Sequence, residues 1–424
     1  MHLFLSLYSD MITTILFTLE NRSDRDVGMK PRDFQTGRVS LVAFSHFVHD
    51  VYTSFLAPLL PIIIEKLSLS LSQAGLLSTV MQIPALFNPV IGLFADNRGL
   101  ARWLVVLSPT LTAIPMSFIL NVSSYPLLLG LFFCTGISVA LYHVPSPVLI
   151  AKYSGSRKGK GMSFFMTGGE AARTVGPMIA VAAVSFLGQD HFYGVLGFAV
   201  LTSILLYFFL EKEEEQTRIK RNGSLTASYR EIKHVLLPIS GILSARSFMH
   251  ASMGVFLTVF IEKETGNLWL AGSALALYEA FGVLGVLSAG TLSDRIGRQR
   301  VLFWVLTVAP VAMLIFVFAS GWVKILMLMI TGFTVLSTTP VMLAIIQENA
   351  RENPSAANGL FMMTSFAVRS LAVFFAGIIG DLAGLEKMFI LSALIGFGAI
   401  PFLLRLDSPS PRKTPPLPQT RERQ

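Results

Sequence analysis

The sequence predicts an all-α integral membrane protein, with twelve transmembrane helices in two pseudo-symmetric six-helix bundles. Three observations predict it. Of 424 residues, 53% are hydrophobic and 14% charged, against roughly 25% charged in an average soluble domain. The apolar residues fall in blocks of about 20 or more, enough to cross a hydrocarbon core roughly 30 Å thick. Finally, the second half of the chain repeats marked features of the first.

Apolar blocks between polar or turn-forming punctuation place spans near 39–64, 71–95, 102–121, 125–151, 161–187 and 191–210. Six more follow near 235–261, 268–292, 301–320, 322–347, 357–380 and 388–404. The bundles are then 38–211 and 235–406, joined by a polar cytoplasmic linker at 212–234 that carries Glu213-Glu214-Glu215, Arg218, Lys220 and Arg221. Residues 1–37 read as a cytoplasmic tail; they lack the basic n-region and small-residue cleavage site of a signal peptide. Met1 and Met29 are both candidate starts. The Pro- and Arg-rich residues 407–424 read as a disordered tail.

Charge sets the orientation. With the N-terminus inside, inner segments hold 26 of the 33 basic residues, while outer loops hold four: Lys66, Lys263, Lys324 and Lys387. That bias places both termini in the cytoplasm and the chain in the inner membrane as a multi-pass protein. The net charge of +8 sits in short loops, so no nucleic-acid partner is expected. The single cysteine, Cys134, lies in an apolar block and reads as a buried, unreactive thiol.

The repeat is specific. Span one ends Ile64-Glu65-Lys66 and span seven ends Ile261-Glu262-Lys263. The loop after span two contains Gly92, Asp96, Arg98 and Gly99; that after span eight contains Gly290, Asp294, Arg295, Gly297 and Arg298. Internal repeats with an even helix count mark alternating-access carriers.

These paired loops resemble the loop 2–3 signature of the major facilitator superfamily and its copy in loop 8–9. The second copy is nearly complete, whereas the first has Asn97 where a basic residue is usual and Leu100 where Arg is common. The resemblance implies a gating role for both loops, with Asp96 or Asp294 helping to latch the halves in the outward-facing state. Within the superfamily, the chain is most similar to the fosmidomycin-resistance branch of efflux carriers. That similarity rests on Ser45-His46 through His49-Asp50, Pro58 to Pro61, Ser70 to Gly75, Gly161 to Gly169 and Gly176-Pro177. Departures from that branch are Glu170 and Arg173, and Val144 after His143.

Ionisable residues inside spans are costly and usually face a cavity or a partner. Here they are His46, His49 and Asp50 in span one, His143 in span four, and Glu170 and Arg173 in span five. Arg246 and His250 lie in span seven, Glu279 in span eight and Arg369 in span eleven. All fall on helices that line the central cavity in the resembled fold. His46, His49 and Asp50 share one helix face by their i,i+3 and i,i+4 spacing. Arg173, Arg246 and Arg369, with His143, Tyr142 and Gln82, are expected to bind substrate, since arginine pairs can grip an anion bidentately. Asp50, His46, His49, Glu170, Glu279 and His250 are expected to carry the coupling proton.

Blander readings compete. Glu170 with Arg173 could be a neutralising pair within one helix, and Glu279 a structural bridge to Arg246 or Arg369. The His46/His49/Asp50 face could hold a metal only with a ligand from a second helix, which the sequence permits without demanding. No metal and no cofactor is expected. Prolines 58, 61, 84, 89, 145, 147, 177 and 340 lie inside spans, where a lost backbone bond permits bending.

The expected activity is secondary active transport of a small, anionic organic molecule by alternating access, driven by protons and directed outward. Import of an organic anion is the alternative. A membrane-embedded metalloenzyme is a distant third, since the sequence lacks His-Glu-x-x-His, Gly-x-Ser-x-Gly and P-loop motifs. The expected partners are a small-molecule substrate, protons and the lipid bilayer, and the resembled fold implies a monomer.

Overall fold

A computed structural model describes residues 34–88, 91, 100–155, 158–210, 225–350 and 354–406. The first loop signature (Gly92, Asp96, Arg98, Gly99), the C-terminal tail and most of the N-terminal tail and linker lie outside these residues. In the first half the helices are α1 (Thr36–Leu67), α2 (Leu71–Phe87), α3 (Ala101–Ser117), α4 (Tyr125–Tyr153), α5 (Lys158–Leu187) and α6 (Phe192–Phe209). In the second, α7 runs through Leu225–Ala251, a π turn at Ser252–Phe256 and Leu257–Thr265. It is followed by α8 (Leu268–Ile296), α9 (Arg298–Phe318), α10 (Gly321–Asn349), α11 (Pro354–Ala383) and α12 (Leu385–Leu403). Among the described residues, ten of these are long and apolar enough to cross a membrane, while α2 and α3 are shorter.

The helix starts follow local chemistry. Ser70 and Gln73 form a reciprocal capping box at α2, which satisfies two first-turn groups. Asn267 caps α8 by accepting from Trp269 at 2.9 Å and Leu270 at 3.1 Å. Gly266, at φ +63°, ends α7 in the left-handed conformation that glycine adopts without strain.

One predicted boundary is corrected. Hydropathy extends the linker to 234, yet α7 begins at Leu225. Ile232, Val235, Leu236 and Ile239 are buried while Arg230 and Lys233 are exposed. This amphipathic turn extends the helix beyond the apolar block that defines the span. Cys134 is also corrected: it is exposed on α4 beside exposed Phe133 and Ile137, so it faces outward from the bundle.

The helices bend where proline removes a backbone donor. Helix α1 breaks between Thr53 and Leu56, just before Pro58, and α4 breaks between His143 and Ser146, at Pro145. Helix α2 tightens into a 3₁₀ turn at Ile83–Phe87, around Pro84. Both full breaks fall beside the polar residues described below.

The packing of the core shows how the halves meet. One apolar cluster joins Phe55, Leu59 and Ile63 of the first half to Phe256, Phe260 and Phe389 of the second. At the end carrying the termini, each half keeps its own cluster, around Tyr142 and Ile150 in one and Ile239 and Phe361 in the other. The bundle is therefore closed at the end remote from the termini and divided at the terminal end. Helix α5 packs on α8, and α2 on α11, across the closed seam.

Candidate functional site

Asp50 is the hub of the first half. Its Oδ1 lies 2.8 Å from His49 Nδ1 and 3.4 Å from His143 Nε2, and its Oδ2 lies 3.2 Å from His46 Nε2. Sequence spacing places three of these residues on one helix face. The structure adds His143 from α4, because the break before Pro145 leaves His143 at a helix end facing α1.

The imidazoles are oriented by backbone. His46 Nδ1 is 2.7 Å from the Phe165 carbonyl and His143 Nδ1 is 3.1 Å from the Val139 carbonyl. A carbonyl only accepts, so both Nδ1 atoms carry hydrogen and both Nε2 atoms face the carboxylate. Protonated, either Nε2 donates to Asp50; neutral, it presents a lone pair. The His46 ring stacks on Phe165 at 3.9 Å and the His49 ring on Tyr142 at 4.3 Å. His49 Nε2 is buried without a partner among the described residues.

Helix α5 approaches this cluster through two glycines. A Cβ on Gly168 would collide with the Ala43 carbonyl of α1, and one on Gly169 would sit 2.6 Å from His46 Cε1. One turn on, Arg173 donates to Glu170. Glu170 is buried, yet the Arg173 side chain is 45% exposed at mid-helix, as a residue lining a cavity would be. The predicted pairing of these two residues is present, and Glu170 Oε2 remains free of any partner among the described residues.

Arg173 also stands near charged groups of the second half. It lies within electrostatic range of Asp50 and of Glu279 on α8, which in turn is within range of Arg369 on α11. Arg246 and His250, one turn apart on α7 and next to its π turn, lie within range of Arg369. Local π geometry recurs at functional sites in helices. Five buried atoms here lack partners among the described residues: Arg246 Nε, His250 Nδ1, Tyr278 Oη, Glu279 Oε2 and Arg369 Nε. Buried polar groups are ordinarily satisfied, so this set stands out as incompletely satisfied.

Several expectations need correction. No ion pair joins Glu279 to Arg246 or Arg369 among the described residues; Arg246 instead donates to Thr339 Oγ1 at 3.1 Å. Tyr142 is fully buried, 2.7 Å from Ser45 Oγ, so it supports the His49 ring and does not face a cavity. Gln82 folds back on Ser78 at 3.2 Å, because its helix tightens at the next residue. In the second loop signature, Arg298 meets Asp294 at 2.5 Å and Glu348 of α10 at 3.0 Å. It also reaches the Gly290 carbonyl at 3.3 Å. Gly297, at φ +100°, makes that turn, and Arg295 is exposed. Asp294 is thus engaged within its own half. Among the described residues it forms no latch to the other half in this arrangement, which is closed at the far end.

Sequence reasoning missed Asp381. Both its oxygens accept backbone N–H groups at the start of α2, from Leu71 at 2.6 Å and Ser72 at 2.8 Å. A lone acid after an apolar block looks like ordinary punctuation. The signal was its exposed partner, the capped start of α2. Arg102 was also missed: it is buried, and its Nε donates to the Leu210 carbonyl at 3.2 Å, closing the end of α6.

Two six-helix bundles that share one closed end and enclose converging charged groups define a membrane carrier. The chain belongs to the Major Facilitator Superfamily, whose model matches residues 42–372 and 239–423. It is 23% identical over 368 residues to the fosmidomycin resistance protein of Escherichia coli strain K12, covering 85% of this chain and 90% of that one. It is likewise 23% identical over 387 residues to the uncharacterized MFS-type transporter YfnC of Bacillus subtilis strain 168, covering 87% and 92%. Among solved structures, an inward-facing bacterial homologue of the lysosomal transporter Spinster superposes with a TM-score of 0.75 at 14% identity, covering 90% of this chain and all of that one. A mutant form of the nucleoside transporter NupG does so with a TM-score of 0.75 at 13% identity, covering 87% and 100%.

Proposed function

We propose that this protein is a proton-coupled carrier that moves a small organic anion out of the cell. The observation that carries the reading is Arg173. Its side chain, 45% exposed at mid-helix, lies within electrostatic range of Asp50, which is ringed by three imidazoles, and of Glu279, which belongs to an incompletely satisfied set with Arg246 and Arg369. The first group can take up and release protons without leaving a bare buried charge. The second can grip a carboxylate or phosphonate with guanidinium forks.

Orientation by basic residues puts the divided end in the cytoplasm, so this arrangement is inward-facing and ready to load. Protonation at Asp50 and anion binding at the arginines both change the charge that Arg173 feels. That shared neighbour couples the two events without direct contact between them. Efflux is favoured over import by the similarity to a protein named for resistance to fosmidomycin. The carrier is read as a monomer of the inner membrane with both termini cytoplasmic.

The test is proton flux in proteoliposomes enclosing a pH-sensitive dye. Fosmidomycin, simple phosphonates and carboxylates would be compared with lipophilic cations under an imposed proton gradient. Flux evoked by anions and lost in Arg173→Ala supports the reading. Flux evoked only by cations, and indifferent to Arg173→Ala, refutes it.

A further inference from the structure

We propose that His46, His143 and Asp50 form a binding site for a divalent transition-metal ion of the zinc class. Three independent features of the cluster lead there. The first is the chemistry of the facing atoms. With both Nδ1 atoms donating to carbonyls, neutral His46 and His143 turn bare Nε2 lone pairs toward one another at 3.3 Å. Asp50 adds a carboxylate at 3.2 and 3.4 Å. Three acceptors converging on one point repel unless a proton or a metal cation stands between them.

The second feature is spacing. Ligands held at zinc distances in a tetrahedron stand about 3.3 Å from one another. His46 Nε2 stands 3.3 Å from His143 Nε2 and 3.2 Å from Asp50 Oδ2, while His143 Nε2 stands 3.4 Å from the other oxygen, Oδ1. One ligand atom from each residue lies within 4.8 Å of the others, so a modest turn of the carboxylate would bring three ligands to one ion. The carbonyls of Phe165 and Val139 also provide the outer hydrogen bonds that fix metal-ligating imidazoles.

The third feature is room. A Cβ on Gly169 would lie 2.8 Å from His46 Nε2 and 3.2 Å from Asp50 Oδ2. Glycine therefore keeps clear the space beside the ligand atoms, where a fourth ligand such as water would stand. His143 is 36% exposed, which gives an ion a route in from the cavity. His49 is not a ligand in this arrangement. Its Nδ1 sits on Asp50 Oδ1 at 2.8 Å and braces the carboxylate.

The sequence alone leads to an expectation of no metal, because the spacing offers ligands from one helix only. The second helix supplies the one that is missing. The inference uses the same cluster as the proton-exchange reading but does not require transport. Metal and proton take the same lone pairs, so each excludes the other.

The experiment is metal binding to the full chain, purified in detergent and stripped by a chelator. Zinc would be titrated by calorimetry, and cobalt(II) added as a spectroscopic probe of tetrahedral nitrogen and oxygen ligation. The expected result is one zinc per chain and intense visible cobalt bands, with affinity falling at least tenfold in His143→Ala and in Asp50→Asn. Gly169→Ala keeps every ligand and should weaken binding by a similar factor through the lost space. The remote His191→Ala should leave binding unchanged. Thermal unfolding of each variant separates ligand loss from misfolding. Absence of stoichiometric zinc, or equal binding by a His46→Ala/His143→Ala double variant, overturns the inference. If zinc fails to bind while anion-evoked proton flux persists, the metal site falls and the transport reading stands. If zinc binds but no such flux is found, the reverse holds.

Discussion

Asp381 accepts the backbone N–H of Leu71 at 2.6 Å and so ties the last turn of α11 to the first turn of α2 in the other half. A carboxylate beside a helix N-terminus also meets the positive end of the helix dipole. Asp381 thus latches the closed end. Removing it costs about 1 kcal/mol at this exposed position, enough to shift a two-state balance several-fold. Thr258 of α7 is buried in the closed seam, where its hydroxyl donates to the Ala57 carbonyl of α1. In a Cys134→Ser background, Thr258→Cys should label several-fold faster when Asp381→Ala is added. Unchanged labelling would mean that the apolar seam alone keeps this end shut.

The same seam predicts a packing effect. A Cβ on Gly377 would stand 2.8 Å from Ser72 Cα and 2.9 Å from the Leu71 carbonyl carbon. Both are backbone atoms, so one helix must shift. Gly377→Ala should therefore cost about 1–3 kcal/mol of closed-state stability and accelerate labelling at Thr258 in the same direction as Asp381→Ala. The double variant should show little further gain, because both changes act on one contact. Additive gains would separate the two.

Arg173 and Glu170 give a stability test independent of transport. Arg173→Ala leaves the buried Glu170 carboxylate without its donor, whereas Glu170→Gln/Arg173→Ala removes the stranded charge. Breaking a fully buried pair costs about 3–5 kcal/mol; the exposure of Arg173 reduces this to about 2 kcal/mol. The melting temperature should fall in the single variant and recover in the double. Equal melting of both would show that Glu170 has another partner.

Much of this was legible in the sequence because the bilayer enforces it. Blocks of about 20 apolar residues located the membrane helices, ten of which are long and apolar enough to cross a bilayer among the described residues, and i,i+4 spacing put His46 and Asp50 on one face. What stayed hidden depends on contacts between distant helices. Nothing in the one-dimensional pattern brings His143 to Asp50 or Asp381 to Leu71, 310 residues apart. Tyr142 and Gln82 are polar residues on cavity-lining helices, and sequence provides no means of knowing that the fold commits them to Ser45 and Ser78. The start of α7 was missed for a simpler reason: a helix can run past the membrane boundary that hydropathy detects.

Asp50 is proposed to carry the proton that drives transport. The most direct measurement compares two modes of Asp50→Asn in proteoliposomes, using whichever anion evokes flux in the unmodified protein. One mode is accumulation driven by a proton gradient; the other is exchange of labelled for unlabelled anion with no gradient. The account predicts that driven transport is lost while exchange persists, because the substitution leaves the proposed arginine site untouched. Gradient-driven transport at the unmodified rate would contradict it and move the proton to another group.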